Sequence, residues 1–274
     1  MRAKGTTVNS PPILSSTGID GERRMYVSPT LPHAGIVHGF ATRCGGVSKG
    51  ELSLLDFGKK SSADKREENL HRLKSLLGFE GQVYFLRQVH GDQVVVLDFV
   101  DTPEAVAKKQ ADALVTNEPR KAVGVLTADC VPVLFADPIQ RVVAAAHAGW
   151  RGIVRGVLQS TVGTMVERFA CNPGNIRAAI GPSIGVCCYE VGEEVAREFQ
   201  HLSGVVRSKI SSQGKALFLD LPKAAAQILG GLGIPQEQIG LANLCTCCRE
   251  DLFFSYRRDA DEAGRHLNLI ALKE

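Results

Sequence analysis

The chain has no run of about 18 apolar residues, so a membrane-spanning helix is excluded and no membrane partner is expected. Residues Met1 to Arg24 are rich in Ser, Thr, Gly and Pro but lack the apolar core of a signal peptide. A flexible leader over residues 1–29 is expected, with a cytoplasmic location. Without a secretion signal, the eight cysteines should be reduced thiols or metal ligands rather than a disulfide framework. No long Lys/Arg block occurs and the net charge is only +3, which argues against a dedicated nucleic-acid binder. Residues 30–274 contain no low-complexity linker, composition break or internal repeat, so they are expected to form one domain.

What is present is an ordinary globular balance, 44% hydrophobic and 22% charged, enough for a full core without disulfide staples. Two apolar runs, Ala122 to Thr127 and Val131 to Phe135, flank Ala128-Asp129-Cys130, and Arg141 to Ala146 follows. Short continuous apolar runs read as strands buried on both faces. Val154, Leu158, Val162 and Val166 then repeat at i+4, which predicts an amphipathic helix stopping near Asn172-Pro173-Gly174. Further helices are expected over Glu67 to Leu77, Gly192 to Leu202 and Pro222 to Leu229, with strands at Val94 to Leu97 and Ile176 to Ile180. The fold class is α/β (α+β), a single layered sheet-and-helix domain.

Three residues stand in unusual settings. His90 lies where an apolar segment meets Gly91, Cys130 interrupts a buried strand, and His147 ends one just before Gly149-Trp150-Arg151-Gly152. Strand ends facing a helix start are where such folds place ligands. Two imidazoles and a thiolate would leave a fourth position open, as catalytic zinc sites do. Separations of 40 and 17 residues match no short zinc-finger motif, so spacing alone favours a packed thiol and two hydrogen-bonded histidines.

A longer series of motifs changes that balance. His38 to Arg43 with Gly45-Gly46-Val47-Ser48, Gln88-Val89-His90-Gly91, Ala111 to Thr116, Thr127 to Pro132 and His147 to Gly152 occur in order. Gly181 to Gly185, Cys188 to Gly192 and Phe254 to Asp259 complete it. Together they resemble the bacterial laccase-domain family, known both as multicopper polyphenol oxidases and as purine nucleoside phosphorylases. The resemblance runs from about His38 to the C-terminus, and the family fold is of the laccase-domain type.

That resemblance implies His90, Cys130 and His147 as metal ligands and catalytic residues, with zinc as cofactor and copper as an alternative. It also implies phosphorolysis of adenosine, inosine or methylthioadenosine to base and ribose 1-phosphate, with adenosine deamination beside it. The partners are then a purine nucleoside and phosphate. The competing activity is a copper-dependent polyphenol oxidase; laccase chemistry usually groups histidines in His-x-His pairs, and the seven histidines here form none.

Arg43 and Arg151 are the leading candidates to bind phosphate or ribose, ahead of Arg257, Arg258 and Arg265, because both sit in glycine-containing motifs. Gly181 to Gly185 could form an anion nest, and Glu190 or Asp129 could orient a ligand imidazole. Asp129, adjoining Cys130, is expected to face the opposite way. Phe40, Tyr189 and Tyr256 are candidates to stack on a purine. Asp56 stands where the family usually has Asn. Cys245-Thr246-Cys247-Cys248 suggests a second metal site, but its one available partner, the adjacent pair Cys187-Cys188, reads as poor geometry for chelation, so reduced thiols are expected.

Overall fold

The computed structural model of the protein describes residues 15–17, 25–31, 34–48, 54–211 and 214–274. Two six-stranded sheets face each other. The first runs Ser15–Thr17, Met25–Val27, Ile36–Ala41, His266–Leu272, Lys121–Thr127, Gln82–Tyr84 in spatial order. The second runs Ile239–Leu241, Arg177–Ile180, Val131–Asp137, Val142–Ala148, Ala113–Thr116, Val94–Val96. A small third sheet joins Glu190–Val191, Gly214–Leu219 and Val206–Ser211.

Alternation along the strands builds the layers. Leu134 and Ala136 point into the space between the sheets, against Phe40, Val123, Val125 and Ile270. Their neighbours Val133 and Phe135 point the other way, onto Leu158, Val162 and Met165 of the helix Val157–Phe169 and Leu229 of Leu221–Gly231. The outer face of the first sheet packs Leu267, Leu269 and Ala271 against Leu73 of the helix Ala63–Leu77. The result is four layers, helix, sheet, sheet, helix. With both faces of Val131–Asp137 covered, every residue of that strand is buried, which explains its uninterrupted apolar run.

Two sequence expectations need correction. The i+4 repeat after Gly149 is two helices, Trp150–Arg155 and Val157–Phe169, parted at Gly156, whose φ of 97° no helix interior accepts. Part of the expected leader is sheet: Ser15–Thr17 pairs with Met25–Val27, which pairs with Ile36–Ala41, and Met25 and Tyr26 are buried. These side chains gain more from core contact than free chain would. The rest of that leader, residues 1–14 and 18–24, lies outside the described residues. Among the described residues no helix is long and apolar enough to cross a membrane.

Register brings the chemistry together. Val131 pairs with Ala148 and Pro132 with His147, so the start of one strand and the end of its neighbour lie side by side at one end of the sheet. The chain reaches that end by crossing from the first sheet to the second over residues 128–130, a turn in which Asp129 takes a φ of 94°.

Candidate metal centre

Asp112 organises the site. Its carboxylate is fully buried and accepts the backbone N–H groups of Val89 (3.1 Å), His90 (3.0 Å) and Gly91 (2.7 Å). These bonds hold His90 in a left-handed conformation, φ 57°, that the loop would not keep unaided. Gln88 ties the same loop to the first sheet: its side-chain amide bonds the Leu126 carbonyl and N–H at 2.8 and 2.7 Å, as a strand would. Arg155 closes it by donating to the His90 carbonyl at 3.0 Å.

The second imidazole rests on the same carboxylate. His147 Nδ1 lies 2.8 Å from Asp112 Oδ1, and the His147 N–H donates to the Asp112 carbonyl at 2.8 Å. An ionised Asp112 can only accept, so Nδ1 carries a proton and Nε2 is the nitrogen turned to the pocket. Burial works against that carboxylate, but the bonds from His147, Gly91 and Val89 hold it below its ordinary range.

Cys130 enters from the crossover turn, its Sγ 3.9 Å from His90 Nε2. The His90 and His147 rings stand edge to face, 4.8 Å between centroids. One donor atom from each of the three residues lies within 4.8 Å of the others. Tetrahedral zinc with its usual bond lengths places N and S ligands about 3.5 Å apart, so a small contraction would seat an ion. Burial alone would raise the Cys130 thiol, but the charge of His147 and hydrogen bonds from both imidazoles bring it down to about 6. His147 moves up to about 9: the Cys130 thiolate and the Asp112 bond outweigh burial. A thiolate and two imidazoles with a carboxylate behind one of them fit a borderline-soft transition metal. Gly149 leaves the room, for a Cβ there would lie 3.0 Å from both Cys130 Sγ and His90 Cδ2.

The remaining sequence candidates divide sharply. Asp129 does face away, accepting from Thr246 Oγ1 (2.6 Å), Ser255 Oγ (3.0 Å) and the Arg257 N–H (2.6 Å). The imidazole-orienting role expected of Asp129 or Glu190 belongs to Asp112, a motif residue whose partner 35 positions away was invisible in sequence. The 181–185 turn is no anion nest: the N–H groups of Gly181, Ser183, Ile184 and Gly185 are spent on Pro132 O, Leu244 O, Asp129 O and Cys245 Sγ. Asp56 accepts from the N–H groups of Gly58 and Arg265, a fold-holding task.

Arg43 donates to the Glu250 carbonyl at 2.9 Å and lies over the Phe254 ring, contacts that tie it to the 250–254 segment. Arg258 and Arg265 are committed to carbonyl oxygens of their own region. Arg257 bonds the carbonyls of Cys188 and Glu190 and covers Tyr189, whose hydroxyl burial and the Cys130 thiolate push up to about 12. Arg151 is exposed, stacks 4.4 Å from the Trp150 ring, and has no ion pair among the described residues. Phe40 is core, and Tyr256 is half exposed under Arg265.

A four-layer α/β protein with His90, Cys130 and His147 drawn together at one end of a sheet is thus defined, and comparison with known proteins agrees on the fold. Residues 37–273 match the model of the multi-copper polyphenol oxidoreductase laccase family, and the chain belongs to that family. It is 40% identical over 234 residues, 85% of its length, to the Escherichia coli protein named purine nucleoside phosphorylase YfiH, covering 92% of that protein. Human purine nucleoside phosphorylase LACC1 is 32% identical over 95% of the chain, which spans 61% of LACC1. The crystal structure of YlmD from Geobacillus stearothermophilus superposes with a TM-score of 0.84 at 31% identity, covering 96% of this chain and all of that one.

Proposed function

We propose that the protein is a zinc-dependent purine nucleoside phosphorylase acting on adenosine, inosine or methylthioadenosine, with adenosine deamination at the same centre. The observation that carries the reading is the convergence of His90, Cys130 and His147 on one point, in a chain whose relatives carry the phosphorylase name. In phosphorolysis a phosphate oxygen forms a bond to C1′ of the ribose. The bond from C1′ to the purine nitrogen breaks, and its electron pair leaves with the base, which then takes up a proton.

An ion held by His90, Cys130 and His147 would supply a Lewis acid to the substrate or to water. Asp112 fixes the His147 tautomer, so Nε2 and not Nδ1 faces that ion. Arg151, stacked on Trp150 and with no ion pair among the described residues, has a guanidinium suited to bidentate phosphate contact, and is assigned the phosphate. Arg43 is the second candidate, for the sugar or phosphate, with its guanidinium already part-engaged. Tyr189, whose hydroxyl burial pushes up to about 12, keeps its O–H at neutral pH.

The copper oxidase reading rests on the family's description alone. Multi-copper chemistry needs several imidazole-rich sites, and among the described residues the one histidine-bearing cluster holds two imidazoles. Metal analysis of the isolated protein and inosine loss with and without phosphate separate the two. Phosphate-dependent ribose 1-phosphate release, lost in Cys130→Ala, is expected. Inosine consumption indifferent to phosphate would overturn the phosphorylase, and full phosphorolysis by Cys130→Ala would remove the metal from that step.

A further inference from the structure

A second cluster of metal-type donors lies apart from the first. Cys187, Cys188, Cys245 and Cys248 bring all four Sγ atoms within 4.8 Å of one another. Cys248 Sγ is 3.4 Å from Cys187 Sγ and 3.3 Å from Cys188 Sγ. The geometry points to a tetrathiolate site for a single structural metal ion, zinc by its donor set, that ties the 185–190 turn to the 244–258 segment.

Four observations support it. First, one sulfur approaches two others equally, whereas a disulfide would satisfy one partner at about 2.05 Å and leave the other sulfurs without purpose. A tetrahedral zinc tetrathiolate sets its sulfurs about 3.8 Å apart, within reach of the spacing here. Second, Cys245 and Cys248 form a Cys-x-x-Cys turn, the spacing of half a structural zinc site. The N–H groups of Gly185 (3.2 Å) and Cys248 point at Cys245 Sγ, as suits a thiolate.

Third, the adjacency of Cys187 and Cys188, an objection in extended chain, is removed by the local turn. The N–H groups of Cys188 and Tyr189 both donate to the Gly185 carbonyl at 3.0 Å, so the backbone curls and neighbouring side chains leave on one side. Gly185 is part of the design: a Cβ there would meet Cys187 Sγ at 3.2 Å and Cys245 Cβ at 3.3 Å. Fourth, cations back the cluster. Arg257 donates to the Cys188 carbonyl and Arg258 to those of Thr246 and Cys247, which offsets the negative charge four thiolates would leave around a divalent ion.

The placement gives the site a task. Thr246, between the two chelating cysteines, and Ser255 and Arg257 beyond them are the three partners of Asp129, the residue before Cys130. An ion at the four sulfurs would therefore hold the scaffold that sets the crossover turn carrying Cys130.

Metal content of the full-length protein, purified under reducing conditions, tests this with Cys130→Ala and the double variant Cys245→Ser/Cys248→Ser. About two ions per chain are expected in the wild type, with about one left in each variant. A single ion, lost in Cys130→Ala and kept in the double variant, would overturn the site; so would a disulfide from Cys248 found by non-reducing peptide mapping. Should the double variant fail to fold, cobalt(II) titration of metal-stripped wild type and Cys130→Ala decides. The strong sulfur-to-cobalt absorption of a tetrathiolate must persist in Cys130→Ala, and its absence there refutes the proposal. The phosphorylase reading can fail without touching this result, because no step of the test measures turnover.

Discussion

Asp112 accepts the Nδ1–H of His147 at 2.8 Å with the same buried carboxylate that captures three consecutive backbone N–H groups around His90. One side chain thus sets the ring orientation of one candidate ligand and the backbone of another. Asp112→Asn keeps the shape but turns an NH2 group toward donors. We expect metal affinity to fall about 10–100-fold, the usual cost of losing such a partner. Stability should drop by about 1–3 kcal/mol from the unmet donors. Chelator competition and urea unfolding measure the two. Unchanged affinity would show that the histidine needs no such support.

Gly149→Ala examines the pocket from the other side. The new methyl carbon would sit 3.0 Å from Cys130 Sγ and His90 Cδ2, tighter than packed atoms accept, so the ligands must part by a few tenths of an ångström. The N-cap backbone, φ −70° and ψ 164°, suits alanine, so the fold itself should survive. Affinity for zinc is expected to fall by about tenfold or more while far-UV circular dichroism stays unchanged. A variant that binds zinc as tightly as wild type would place the ion away from Gly149.

These two residues mark what could be read in sequence and what could not. His90, Cys130 and His147 stood out by local setting, a glycine beside His90 or a polar break in an apolar strand at Cys130, and the resemblance of their motifs to the laccase-domain family, not their spacing, made them candidate ligands. Asp112 lay in plain view, but its role depends on strand pairing across 35 residues, and no local pattern encodes that. The central strands were legible because both faces are covered, which leaves continuous apolar runs. The third sheet was not, because residues 206–210 are mostly exposed and mix apolar with charged side chains, and Gly214–Leu219 is only half-buried, with a short apolar run at its end. The break at Gly156 is not legible because the side-chain period runs on through it and a positive φ leaves no mark in that period. The cysteines are reduced thiols, as expected, and their gathering at 187–188 and 245–248 was not legible because a turn, unlike a strand, lets adjacent side chains leave on one side.

Arg151 and Arg43 should separate cleanly. Arg151 is exposed with its guanidinium stacked on Trp150, so Arg151→Ala is expected to raise KM for phosphate by about tenfold or more, as for a lost charge-assisted contact, with little change in stability. Arg43 links its own β-strand end to Glu250 and Phe254, so Arg43→Ala should cost stability as well. Steady-state kinetics against phosphate, beside thermal unfolding, distinguish the two patterns. An unchanged phosphate KM in Arg151→Ala would free that side chain from the reaction.

His266 should dominate the acid limb of stability. It is fully enclosed, its Nε2 accepts the Phe254 N–H at 2.9 Å, and its Nδ1–H donates to the Thr127 carbonyl at 3.1 Å. A proton on Nε2 would break the first bond and bury a charge near Arg43, Arg265 and Arg258. Burial accordingly pulls its pKa down to about 3, with those arginines adding to the shift and the Thr127 bond opposing it. The unfolded histidine titrates near about 6.5. Above that pH both states are neutral and the full stability is present. As pH falls below it, the unfolded chain binds a proton the folded chain refuses, so stability is lost down to the folded pKa. The loss should reach about 1.5–2 kcal/mol between pH 6.5 and about 5, at 1.36 kcal/mol per unit. Urea unfolding of wild type and His266→Gln across that window isolates the contribution, since every other group is shared. Parallel pH profiles for the two proteins would mean that His266 titrates alike in both states and that its enclosure carries no such cost.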